Sequence, residues 1–234
     1  MRDLRTYILE GFKLGKNKVK KEEDDFVDLG LPSGTLWCKY NIGATCGYDP
    51  KSWYGDYFMW GDIEPIKNKI CNWTNYKYCN GNNKTLTKYC NIDKISCWAV
   101  KGKPDNKLTL DLEDDMANVN IGGDVKTPTE DDIQELIDNT ISKWVRKYNN
   151  IEGLNGRLFT SNTNNNTLFI PAAGYYDFNS KSSVSETGGN VSIWSSTIHY
   201  KYPYEAYYLN SYSYNIYISA RYRCCGCPVR AVMN

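Results

Sequence analysis

Between Ala206 and Val232 the chain reads AYYLNSYSYNIYISARYRCCGCPVRAV, and the alternation inside it constrains the fold more than any other feature. Ile216, Ile218 and Ala220 fall on one side of an extended chain and Asn215, Tyr217, Ser219 and Arg221 on the other, the period of two that a half-buried strand requires. The runs RLFTS, TLFIPAAGYYD, VSIWSS, EAYYLNSYS and PVRAV predict further short strands, with Asn164-Asn165-Asn166 and Gly188-Gly189 as turns between them. Two helical signals stand out. The clearer spans about 129–139: Pro128 precedes it, Thr129 can cap it, Asp132 can reach back from the third helical position, and Ile133, Leu136 and Ile137 form one apolar face. A weaker one covers 111–120, where Glu113, Asp114 and Asp115 crowd the end that the helix dipole leaves positive. With 20 Tyr and 18 Gly in 234 residues, rings and turn formers stand where helix formers are usual. The expected class is α+β, with strands predominating late.

The last strands also carry a restricted alphabet. Residues 206–232 contain no Lys, Glu, Gln, Met, Trp or Asp, although Lys, Glu, Gln, Met and Trp make up 43 of the 234 residues and should supply about five of these positions by composition alone. Every residue present can be encoded by a codon ending in C or T, and randomising the adenines of AAC or AAT yields such a set. Tyr offers a large amphipathic surface for the loss of two torsions, while Ser and Asn supply adaptable hydrogen bonds, which is why antibody paratopes favour them. Tyr208, Asn210, Tyr212, Tyr214, Asn215, Tyr217, Ser219, Arg221, Tyr222, Cys224 and Cys225 are therefore the candidate ligand-binding residues, and 206–227 the candidate variable region.

Residues 1–25 read as an amphipathic helix, with Leu4, Tyr7, Ile8, Phe12 and Leu14 on its apolar stripe, followed by a charged linker. A stripe this short cannot fold alone, so docking on a larger assembly is expected. Residues 26–234 read as one domain, with 66–107 a loop-rich surface insertion anchored by Trp73, Tyr76 and Trp98. A net charge of +1 provides no field for nucleic acid, and no run of about 18 apolar residues is present to insert in a membrane. The first twenty residues lack the apolar core of a secretion signal. The nine Cys, at 38, 46, 71, 79, 90, 97, 224, 225 and 227, fit neither a complete disulfide framework nor the paired spacing of a zinc site, and most are expected to be buried thiols.

The blocks VDLGLPSGTLW (27–37), NIGA (41–44), YGDYFMWGDIEP (54–65), LEDDMANVNIGGDVKTPTEDDIQEL (112–136), LFIPAAGY (168–175), IWSS (193–196) and GCPVRAV (226–232) together resemble the Fibrobacter succinogenes major paralogous domain family over nearly all of 26–232. Val125-Lys126-Thr127 departs from the family's Trp-Arg-Met, and Ala231 from its Pro. The resemblance implies a C-type-lectin-like fold related to formylglycine-generating enzymes. It also implies kinship with variable proteins of diversity-generating retroelements in Bacteroidales phages, where adenine-directed mutagenesis rewrites the C-terminal region and the product binds the host receptor from the tail tip. The protein would then be a virion component made without a signal peptide, held in the virion through residues 1–20 and facing a host cell-surface protein or glycan. Multivalent display, a homo-oligomer included, would compensate for weak single contacts. The buried framework would come from Trp37, Trp60, Phe169, Ile170 and Trp194.

An enzyme is not expected. The kinship with formylglycine-generating enzymes raises an oxidoreductase using Cys224 and Cys225 beside Arg223, but their spacing differs from that family's active site. A virion structural protein whose Tyr-rich face packs permanently on a partner is the other alternative. Glu64-Pro65 is similar to a calcium-lectin loop, yet Ile66 replaces the amide and no later Trp-Asn-Asp completes an oxygen cage, so neither metal nor cofactor is expected. The single histidine, His199, has no catalytic partner suggested by its neighbours.

Overall fold

The computed structural model describes residues 25–67, 69–91, 97–181 and 183–234; the expected N-terminal helix lies outside the described residues. The α+β expectation holds at that level: among the described residues, mostly antiparallel strands form several small sheets accompanied by two α-helices. One sheet joins β1 (Phe26–Asp28), β2 (Leu36–Asn41), β12 (Arg230–Met233) and β4 (Val125–Lys126) in that order. A second pairs β3 (Tyr57–Met59) with β11 (Gly226–Pro228), and a third orders β5 (Thr140–Val145), β6 (Gly156–Ser161) and β7 (Thr167–Pro171). The fourth contains β8 (Val191–Ile198), β9 (Glu205–Tyr212) and β10 (Asn215–Tyr222), with β9 in the middle.

The period of two explains how one chain builds two large apolar clusters. In β2, Trp37 turns into one cluster and Cys38 into the other; in β1, Val27 and Phe26 divide the same way. The sheet around β2 is thus a partition buried on both sides. β8 and β9 repeat the pattern: Ile193 and Leu209 join Trp37, while Trp194 and Tyr208 join Phe58 and Trp60. All five framework residues are buried, although Phe169 belongs to a third, smaller cluster with Tyr54, Leu154 and Ala173.

The helices show which local signals survive folding. Glu130–Asp138 forms α2 with the expected capping box: the Asp132 backbone N–H donates to Thr129 Oγ1 at 3.1 Å, and the Thr129 N–H donates to Asp132 Oδ2 at 2.8 Å. The signal at 111–120 resolves into a single 3₁₀ turn, Leu112–Asp114, and a short α1, Met116–Ile121. Asp115 is the reason. Its carboxylate accepts from the Ala117 and Thr127 backbone N–H groups and from the Thr127 hydroxyl, so it caps the helix and cannot be one of its interior residues.

The described residues of the insertion at 66–107 form no strand or helix, and its anchorage extends beyond Trp73 and Tyr76: Tyr78, Leu86 and Tyr89 are buried in the larger cluster beside them. Trp98 packs against the same cluster from a partly buried position. Lys88 locks the segment onto the 3₁₀ turn, its ammonium lying 2.5 Å from Asp114 Oδ2 and 2.7 Å from Asp111 Oδ2. Tyr89 adds a hydroxyl donated to Asp114 Oδ2 at 2.6 Å.

These contacts make stability depend on pH in a determined direction. Burial pushes the Asp114 carboxyl up, but the Lys88 ammonium and the Tyr78 and Tyr89 hydroxyls override it and hold the group well below the usual carboxylate range. Burial likewise opposes the charge on Lys88, and its bonds to Asp111 and Asp114 override that and raise it. A depressed acid stabilises fully above its unfolded pKa of about 4 and loses that contribution as pH falls through the folded value; a raised base does so below about 10.4 and loses it as pH rises. Lys88→Met should therefore remove about 1 kcal/mol of stability at neutral pH and flatten both limbs, as urea midpoints between pH 2 and 11 would show.

Candidate binding surface

β9 and β10 are joined by the two-residue turn Ser213–Tyr214, and their register puts Tyr208 opposite Ser219, Asn210 opposite Tyr217, and Tyr212 opposite Asn215. Residues directly opposite share a face. The other face carries Leu209, Ile216 and Ile218, which pack with Ile133, Leu136 and Ile137 of α2. The hairpin is thus fastened along its apolar side while the polar side of β10, an edge strand, faces outward.

A buried arginine braces the neck of the hairpin. The Arg157 guanidinium donates through Nη2 to the Tyr212 and Asn215 carbonyls, and through Nε to Ser211 Oγ at 2.9 Å. Two-residue hairpins favour turns with positive φ, yet neither Ser213 nor Tyr214 adopts one. The fork of donors from β6 supplies the closure that the turn residues do not specify. Beside this turn, Trp144, Arg146, Lys147, Asn155, Gly188 and Ser213 line a cleft of about 420 Å³.

The candidate residues separate into two groups. Tyr214 is 80% exposed and Tyr217 42%; Tyr222 is exposed, and Tyr212, Asn215, Ser219 and Arg221 are half-buried. Tyr212 and Tyr214 stack with centroids 5.7 Å apart and planes 12° apart. Arg221 is clamped between rings, 3.3 Å from the Tyr175 centroid and 4.5 Å from that of Tyr208.

Tyr208, Asn210, Cys224 and Cys225 are buried and do not belong to an exposed face. The central position of β9 accounts for the first two: Tyr208 packs edge-on against Trp194, and Asn210 Oδ1 accepts from Asn190 Nδ2 at 2.7 Å. The cysteines turn inward at the end of β10. Cys224 gains a thiol hydrogen bond with Cys225 and is desolvated, and both raise its pKa. That is the reverse of what activates a thiol.

Aromatic residues outside the 206–227 window extend the surface. His199 stacks on Tyr200 and Tyr202, both at 5.1 Å; Tyr202 reaches Tyr204 at 5.7 Å; Tyr204 reaches Tyr222 at 6.0 Å; and Tyr222 meets Phe178 at 5.8 Å. Tyr200, Tyr202 and Phe178 are exposed. The signal was present in IHYKYPYEAYY at 198–208, but Lys201 and Glu205 break the restricted alphabet there. His199 Nδ1 accepts from the Lys201 and Tyr202 N–H groups at 3.1 Å, and burial, aided by Lys201, lowers its pKa. Its ring is a stacking platform for Tyr200 and Tyr202.

Gly226 and Arg223 support the surface from beneath. A Cβ on Gly226 would stand 2.3 Å from Ile66 Cδ1 and 3.1 Å from Tyr176 Cβ, so a larger residue where β11 meets Tyr176 would have to displace the Ile66 side chain. Arg223 is fully buried and donates to the carbonyls of Tyr89 at 2.8 Å, Pro203 at 2.9 Å and Lys88 at 3.1 Å. It ties the insertion and the 199–204 loop to the end of β10. Among the described residues the one cluster of three carboxylates, Asp111, Glu113 and Asp114, is engaged by lysines. No described helix is long and apolar enough to cross a membrane. No family model, no curated protein and no solved structure matches this chain.

Proposed function

We propose that the chain is a ligand-binding protein of C-type-lectin-like fold that displays a variable Tyr/Asn/Ser-rich surface, and that it serves as a phage tail-associated host-recognition component diversified by a retroelement. The observation that carries the proposal is the braced hairpin. Arg157 and the Leu209, Ile216 and Ile218 face hold its backbone, while Tyr212, Tyr214, Asn215, Tyr217 and Ser219 stand where they can change without emptying the core; Arg221, held between Tyr175 and Tyr208, and Tyr222, packed on Trp73, border them. The restricted alphabet of 206–232 takes in this hairpin and runs on through the buried residues 223–232. Exposed rings alternating with Ser219 and Arg221 suit a reversible, partly polar contact better than the broad apolar face of a permanent assembly. The ligand is a host surface protein or glycan, the segment 1–20 attaches the protein to the virion, and no catalysis is assigned.

Tyr214→Ala and Tyr217→Ala should each weaken binding to host cells by roughly 5- to 150-fold while shifting the melting temperature by no more than about 2 °C. The neighbouring DNA supplies the complementary test: a near-copy of the coding region for 206–232, differing only at adenines, beside a reverse transcriptase. Identical codons for this region across many isolates would end the claim of diversification.

A further inference from the structure

Two of the nine cysteines face each other: Cys90 Sγ and Cys97 Sγ lie 3.5 Å apart, both buried. We propose that Cys90 and Cys97 are a disulfide-forming pair, closed by exchange with a small-molecule disulfide such as oxidised glutathione, and that the bond staples the insertion beneath the binding surface. The proposal does not depend on what the surface binds.

The pair is held from both sides by bonds that do not involve sulfur. The Cys90 N–H donates to Asp105 Oδ1 at 2.8 Å and its carbonyl accepts from the Asn106 N–H at 3.0 Å. The Cys97 carbonyl accepts from the Leu86 N–H at 2.6 Å, and Ala99 N–H donates back to Leu86 at 2.9 Å. For the bond to form, the 3.5 Å between the two sulfurs must close to about 2 Å. The neighbouring thiols of Cys224 and Cys225 are a poorer pair, because consecutive α-carbons stand about 3.8 Å apart, below the usual disulfide range.

The chemistry balances without a metal. One cysteine thiolate attacks a sulfur of the small disulfide and expels one glutathione thiol; the second cysteine attacks the mixed disulfide and expels the other. Two protein S–H bonds lose two electrons and two protons, and the small disulfide is reduced to two thiols. Burial and the hydrogen bond with Cys90 push the Cys97 thiol up to about 12, so closure is slow at neutral pH and quickens as pH rises. The affected segment includes Lys88 and Tyr89, whose carbonyls grip Arg223. A reducing cytosol would leave the pair open and an oxidising exterior would close it.

The test uses the full chain, reduced and then exposed to mixtures of oxidised and reduced glutathione at about pH 8, with free thiols trapped by alkylation. Lys88, Lys94 and Lys101 let trypsin separate the two cysteines, so the expected product is peptide 89–94 joined to peptide 95–101. Oxidation should also raise the melting temperature by roughly 5–10 °C, a gain that Cys90→Ser abolishes. Alkylated Cys90 and Cys97 at every glutathione ratio, a bond at Cys224–Cys225 instead, or a 90–97 bond formed only in denaturant would each overturn the proposal.

Discussion

Arg223→Met should destabilise the protein by about 4 kcal/mol and lower its melting temperature by roughly 10–15 °C. The side chain is fully buried and its guanidinium is the donor to three carbonyls drawn from two distant loops, Lys88 and Tyr89 on one and Pro203 on the other. Methionine keeps much of the volume but leaves those acceptors in a dry interior, where each unsatisfied carbonyl costs about 1–3 kcal/mol before relaxation. Arg223→Lys should recover only part of the loss, because a point charge with three donors does not reproduce a planar fork spanning both loops. Near-ultraviolet circular dichroism should also change, since the guanidinium lies 5.1 Å from the Trp60 ring and 5.2 Å from that of Tyr76. A variant within about 1 kcal/mol of the parent in urea would show that water replaces the guanidinium at little expense.

Trp60→Ala should be at least as damaging, at about 5 kcal/mol. The indole is buried, packs edge-on against Tyr89 at 5.1 Å, and donates its N–H to the Ser195 carbonyl at 2.8 Å. Trp194 makes the reciprocal link, its N–H donating to the Phe58 carbonyl at 2.8 Å. Two indoles thus tie β3 to β8, and losing one removes both packing and a bond between sheets. Trp60→Phe separates the terms: it retains most of the ring and should cost about 1–3 kcal/mol. Because Trp60 and Arg223 touch, the double variant should lose less than the sum of the single losses. Strict additivity in calorimetry would show that the two act independently.

The parts legible in the sequence are those decided by a few neighbouring residues. Thr129 and Asp132 are three positions apart, and their mutual hydrogen bonds need nothing from elsewhere in the chain. The alternation from Asn215 to Arg221 was readable because a strand with one buried face has no other way to sort its side chains. Which exposed-looking residues stay exposed was not readable. Tyr208 and Asn210 alternate in register with Tyr212, yet β8 and the segment reaching Asn190 cover them, while Tyr212 at the hairpin end is half free. The aromatic path through Tyr200, Tyr202 and Tyr204 was missed for the same reason: Phe178 and Tyr222, which complete it, are distant in sequence and meet only in three dimensions.

Patterning alone thus determined the α+β class, the late strands and the capped α2, since each follows from covalent spacing and the need to bury apolar side chains. Tertiary structure decided the rest. In a chain with short strands and long loops, many carbonyls have no partner within their own element, and here Arg157, Arg223 and Arg230 satisfy them from afar. Nothing in the residues around an arginine tells whether it will face water or be drawn inside to bridge loops, because that depends on acceptors that only the folded chain brings together.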